Sequence, residues 1–101
     1  IGDVTGIMLK MGRPLPKAGV FAHGEAEVVA DNIAAEITGK RERRSFDGNG
    51  ECFVEIGDGK AGFGSGNFYA EPAPEVRLRG PNRALHLGKI AFEKYWLFEW
   101  F

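Results

Sequence analysis

From about Gly24 the apolar residues Ala26, Val29, Ala30, Ile33 and Ile37 recur at the spacing of one helical face. The pattern predicts a helix that Gly39 would close as the left-handed residue just past its end. Glu25, Glu27 and Asp31 would put acid in its first turns, where carboxylates suit the helix dipole. Between Glu51 and Ile56 the period shortens to two, with Cys52, Val54 and Ile56 on one face, as in a strand. Gly57-Asp58-Gly59-Lys60 is a hairpin turn signal, and the glycine-thinned stretch Ala61 to Ala70 reads as the returning strand. Pro72 and Pro74 end it, and Glu75 to Arg79 offers a third short strand.

The last stretch, Arg83 to Phe101, has Leu87, Ile90, Ala91, Lys94, Leu97, Phe98 and Phe101 on one broad helical face, with Gly88 weakening its middle. Phe92, Tyr95, Trp96 and Trp100 add aromatic surface elsewhere, a load that calls for packing, a membrane interface or a partner. Towards the other end, Ile1 to Thr5 reads as a strand end turning through glycine, and Gly6 to Arg13 as a mobile stretch. Pro14 and Pro16 stiffen the loop around Leu15, which leads through Ala18 and Gly19 to the helix. The expected fold is α+β: a loop and helix, a small antiparallel sheet over about residues 51 to 79, and a C-terminal aromatic helix packed on it.

Composition narrows the function classes. Thirteen Lys and Arg against fourteen Asp and Glu leave a net charge of −1, so no global basic field favours nucleic acid. The single cysteine, Cys52, excludes an internal disulfide and a cysteine-rich metal site. No run of about 18 apolar residues suggests a membrane span. Fifteen glycines indicate tight turns and close backbone approaches. Lys40 to Arg44 follows the first helix as a short cationic run, either a solvated helix end or a contact for anionic headgroups. A chain that starts at Ile1 and ends on Trp100-Phe101 reads as an excised piece, with self-association a simple way to cover its remaining apolar surface.

Gly2-Asp3, then Leu15-Pro16-Lys17-Ala18-Gly19-Val20-Phe21-Ala22 with its alanine-rich helix, then Cys52 in a strand, then Phe92-Glu93-Lys94-Tyr95-Trp96, resembles the C-terminal part of the sulfide:quinone oxidoreductase family. That family is a branch of the FAD-dependent pyridine nucleotide-disulfide oxidoreductases that also holds the flavoprotein subunit of flavocytochrome c sulfide dehydrogenase. The resemblance implies a fragment of a flavoprotein with two dinucleotide-binding domains. Residues 1–40 would be the end of the FAD-binding domain, and residues 41–101 the C-terminal sheet and helix on the interface or quinone side.

The resemblance also implies site residues. Gly2 and Asp3 match the motif whose carboxylate holds the FAD ribityl chain, and Lys17, Ala18, Gly19 and Val20 match the flavin-facing loop. Backbone N–H groups from Gly19 to Gly24 would stabilise the reduced flavin's negative edge, with His23 a lesser candidate. Cys52 matches a redox-active cysteine whose partner lies N-terminal to this chain, Lys94 could stabilise charge on reduced flavin or quinone, and Trp96 could stack on a quinone. Glu51, beside the cysteine, is unlike the apolar residue expected against a quinone, so a cytochrome acceptor stays open. No Gly-x-Gly-x-x-Gly strand-turn-helix unit opens the chain, so the fragment alone is expected neither to hold FAD firmly nor to turn over. A peripheral membrane or periplasmic setting would suit this family. The rival expectations are an NADH-oxidising flavoprotein, in which Cys52 would be incidental, and a non-catalytic module for dimerisation or membrane-surface docking.

Overall fold

The computed structural model describes residues 1–101. The fold is α+β: helix α1 (Gly19–Ile37), strands β1 (Asn49–Gly57), β2 (Lys60–Asn67) and β3 (Glu75–Asn82), and helix α2 (Arg83–Trp100). The strands form one antiparallel sheet in the order β1-β2-β3. Two compact units emerge, one from Ile1–Gly50 with Gly66–Glu75, the other from Glu51–Ser65 with Val76–Phe101.

The first unit is built on Phe21, which is only 5% exposed. Its ring meets Phe68 and Phe46 edge-on, at centroid distances of 4.9 and 6.2 Å, and Phe46 meets Tyr69 at 5.7 Å. Three of these four rings press on a glycine. A Cβ added at Gly50 would fall 2.4 Å from Phe21, one at Gly24 would fall 2.8 Å from Phe46, and one at Gly48 would fall 2.4 Å from Tyr69. Such contacts are far inside van der Waals range, so bare backbone is needed beneath the rings.

Helix α1 starts five residues earlier than the apolar period suggests, with Ala18 at its N-cap. Its acids therefore lie beyond the first turn. The inward face also differs from the expected one. Phe21 and Glu25 are buried and Val28, Asn32 and Ala35 are half-buried, whereas Val29, Ile33 and Ile37 are exposed. Two polar groups can face inward because each has a partner: Glu25 accepts the Gly2 N–H at 2.7 Å, and Asn32 exchanges hydrogen bonds with the backbone of Arg44 at 2.8 and 2.9 Å. Arg44 also pairs with Asp31 and Arg43 with Glu36, so part of the cationic run folds back on the acids of α1. Gly39, at φ +73°, ends the helix as expected. Lys40 N–H donates to the Ala35 carbonyl (2.8 Å) and Gly39 N–H to that of Glu36 (3.3 Å), the paired bonds of a Schellman closure.

The N-terminal residues are more ordered in form than their sequence suggests. Gly2–Val4 is a turn of 3₁₀ helix and not a strand end. Residues 7–15 double back as a small hairpin: Met8 bridges Pro14, and Leu15 N–H donates to the Ile7 carbonyl at 2.8 Å. Leu15 is thereby buried between its two prolines.

In the second unit the Asp58-Gly59 turn, with both φ values positive, joins β1 to β2 as the Asp-Gly pair demands. Phe53 packs on Phe63 (4.9 Å) and on Phe92 of α2 (6.1 Å), and Ala61 is fully buried. Glu55 meets His86 of α2 at 2.5 Å. Phe53 and Glu55 of β1 thus face α2, and Cys52, Val54 and Ile56 share the opposite, exposed face. The period of two held, and the face carrying the larger aromatic ring became the inner one. Asn82 caps α2, its side chain accepting the Leu85 N–H at 2.8 Å. The side of α2 against the sheet is marked by His86, Gly88, Lys89 and Phe92. The broad face of Leu87, Ile90, Leu97, Phe98 and Phe101 is exposed instead, with Phe98 at 86% and Phe101 at 95%.

Gly50→Ala should lower stability in urea unfolding by about 1–3 kcal/mol, because Phe21 is held between two other rings and cannot retreat. Gly6→Ala, where an added Cβ meets nothing within 4 Å, should stay within about 0.5 kcal/mol of the parent. A second expectation concerns pH. Asn49 donates its backbone N–H (3.0 Å) and side-chain amide (2.8 Å) to Asp47, and these bonds hold the Asp47 pKa below its ordinary value. The turn is therefore supported above the ordinary carboxylate pKa, and that support is lost as pH falls through the lower folded value. The Asn49 amide resonance should titrate below the usual aspartate range, and Asp47→Asn should abolish the titration.

Candidate functional site

The expected flavin-facing residues of the first unit converge. Gly2, Asp3, Lys17 and Ala18 line one crevice with Thr5, Leu15 and Glu25, and Gly19 and Val20 follow directly as the first residues of α1. The convergence has two anchors. One is the buried Glu25 carboxylate on the Gly2 N–H, and the other is the Lys17 ammonium, which donates to the Asp3 carbonyl. Thr5 closes the short turn, its N–H (3.0 Å) and hydroxyl (2.7 Å) both donating to the Gly2 carbonyl.

The electrostatics of the crevice come from the start of α1. The first helical hydrogen bonds run from Phe21 (3.1 Å) and Ala22 (3.2 Å) to the Ala18 carbonyl, and no side chain caps the end. The amides of Gly19 and Val20 are therefore the available donors, and those from Phe21 to Gly24 are spent inside the helix. No acidic residue lies in the first turn to offset the dipole. His23 is turned to Glu27, 3.4 Å away and one helical turn on.

A flavin's pyrimidine edge needs N–H donors and tolerance of negative charge, which Gly19, Val20 and Lys17 offer. A ribityl chain needs a hydroxyl acceptor, which the exposed Asp3 offers. The crevice itself encloses about 10 Å³, space for roughly one water, so these residues supply an edge of contact and not an enclosure.

The other expected residues belong to the second unit. Cys52 is exposed on the sheet face away from α2, where its thiol donates to the Phe53 carbonyl at 3.2 Å. Lys94 is exposed on α2. Trp96 is half-buried between Phe92 (5.6 Å) and Trp100 (5.9 Å) in a row of rings along α2. Cys52 is thus on the opposite side of the sheet from the helix that carries Lys94 and Trp96. No cluster of three or more His, Cys, Asp or Glu residues could hold a metal ion. No helix is long and apolar enough to cross a membrane.

Sequence reasoning missed Glu25 as a positioning residue. Read as one of several first-turn acids, it is in fact 8% exposed and fixes the Gly2 amide. Its spacing of four from Phe21 was the available signal, since the two share a helix face. Glu25→Leu should free the Gly2 turn and speed amide exchange at Gly2 and Thr5 by about tenfold or more, with α1 beyond its first turn unchanged. Hydrogen exchange read by NMR checks this, and equal protection in both proteins would remove Glu25 from the role.

Set against known protein families, curated proteins and solved structures, the chain matches none of them.

Proposed function

We propose that this chain is part of a FAD-dependent oxidoreductase that takes electrons from sulfide or a related donor and passes them to quinone or a cytochrome. The observation that carries the reading is the seating of the Gly2–Val4 turn against the uncapped start of α1, which gathers Gly2, Asp3, Lys17 and Ala18 around one crevice, with the amides of Gly19 and Val20 next along the chain. Bound FAD would supply a two-electron acceptor.

The chain's own residues would divide the remaining tasks. Asp3 would accept hydrogen bonds from ribityl hydroxyls. The amides of Gly19 and Val20, with the dipole of α1 behind them, would stabilise negative charge at the pyrimidine edge. Cys52, joined in a disulfide to the second cysteine that the resemblance places N-terminal to this chain, would take the attack of sulfide, which would form a persulfide on one sulfur and release the other as a thiolate as the S–S bond breaks. Lys94 would offset charge on the reduced acceptor, and Trp96 would offer a ring for stacking. The location of Cys52 on the sheet face opposite α2 suits separate contacts for donor and acceptor.

A second reading has an observation of its own. Phe98 and Phe101 are almost fully exposed on a face of α2 that also carries Lys94, which favours docking on a membrane surface or self-association. Vesicle co-sedimentation of the parent and a Phe98→Ser/Phe101→Ser variant tests it, and equal binding by the two would discard this aromatic contact.

For the leading reading, sulfide should bleach the flavin absorbance of the full-length protein, and Cys52→Ser should slow that bleaching by about 100-fold or more without changing reduction by dithionite. Bleaching by NADH and not by sulfide would favour an NADH-oxidising flavoprotein. Sulfide bleaching that survives Cys52→Ser would remove the thiol from the mechanism.

A further inference from the structure

Apart from the crevice, the first unit contains a larger cavity. It has a volume of about 240 Å³ and lies between the Ile7-to-Met11 arm of the small hairpin and the segment from Phe68 to Pro74. Its walls include Met8, Met11, Phe68, Tyr69, Pro72 and Pro74, and the nucleophilic and redox residues discussed above take no part in it. For scale, a cavity of about 150 Å³ takes a benzene ring. This one accommodates a larger ring or a ring with a short side chain.

The lining favours a flat aromatic body. Methionine sulfur and aromatic edges are polarisable partners for a ring face, and methionine side chains adapt to its outline. The walls are held in place before any ligand arrives. Phe68 is fixed by its edge contact with Phe21 and by its N–H bond to the Gly48 carbonyl (2.8 Å). Tyr69 is fixed by Phe46 and by the Asn67 side chain, which accepts its N–H at 2.8 Å. Across from them, Leu9 N–H to the Arg13 carbonyl (2.9 Å) and Gly12 N–H to the Leu9 carbonyl (2.9 Å) brace the hairpin arm.

The charged side chains are confined to one place. Lys10 and Glu71, which also line the cavity, pair across it at 2.5 Å and remain mostly in solvent. That contact uses one of three ammonium donors and one of two carboxylate oxygens, leaving adjacent positive and negative valences unspent. Their complement is a carboxylate and an ammonium on neighbouring atoms. We propose that this cavity binds a small aromatic zwitterion of the α-amino acid class, with its ring between the methionines and the aromatic wall and its charged head on Lys10 and Glu71. The inference is independent of the flavin reading.

The chain contains only two methionines, Met8 and Met11, and both line the cavity. Methionine-methyl ¹³C labelling therefore gives two NMR signals that report this site alone. L-tryptophan, titrated into the 101-residue protein, should move both signals saturably through ring-current shifts. Because the ion pair is exposed, its discrimination is modest: tryptamine and indole-3-propionate should each bind about three- to fivefold more weakly than tryptophan. Lys10→Gln should weaken tryptophan by a similar factor and leave indole binding unchanged. Ala70→Trp, which adds bulk to the cavity wall, should abolish the shifts while the Phe21 ring resonances stay at their parent positions. Absence of a saturable shift at both methionines would overturn the proposal. Equal affinity for tryptophan and indole, unaffected by Lys10→Gln, would also overturn it, because the head would then go unrecognised.

Discussion

The packing of Phe21 against the bare backbone of Gly50 is the constraint from which the first unit follows. With Phe46 and Phe68 at its edges, the ring ties α1 to the loop before β1 and to the segment after β2, which are distant in sequence. The buried large apolar side chains of this unit are Phe21 and Leu15. Because Phe21 is in the first turn of α1, the same contact that makes the core also sets where the helix begins. The helix start, the Glu25 anchor one turn later and the Gly2–Val4 turn it holds are consequences of one buried ring.

That arrangement separates two kinds of chemistry within the first unit. At the start of α1 the donors are backbone amides and the dipole is uncompensated, which suits an extended anionic edge. At the far side of Ile7, which borders both spaces, the walls are sulfur and aromatic carbon and the only charges form one ion pair at the surface. Tyr69 belongs to both the cavity wall and the aromatic cluster, and burial with the nearby Glu25 charge pushes its phenol pKa up. Its hydroxyl therefore stays protonated well past neutrality.

The second unit follows a different rule. Its inner layer is Phe53, Phe63 and Phe92, with Glu55 held by His86 at 2.5 Å and Lys89 at 3.6 Å beside them. Both its outer surfaces remain apolar: Val54, Ile56 and Leu78 on the sheet, and Leu87, Leu97, Phe98 and Phe101 on the helix. Apolar surface on this scale is the ordinary mark of a contact face.

The sequence by itself determined the elements: two helices, three strands, the Asp58-Gly59 turn and the Gly39 closure all follow from local period and local backbone preference. It did not determine which face of each element would be covered. On α1, Val29, Ile33 and Ile37 make the better apolar stripe, yet the buried stripe contains Glu25 and Asn32, because partners for these polar groups arrive from Gly2 and Arg44. On β1, Cys52, Val54 and Ile56 alternate as predicted, yet Phe53 and Glu55 face α2. Of the expected set, Gly2, Asp3, Lys17 and Ala18 line one crevice, while its anchor Glu25 and the methionine-lined cavity were not legible in the sequence. Periodicity records which residues share a side, but the choice of side rests on contacts between segments far apart in sequence, and only the tertiary structure contains those.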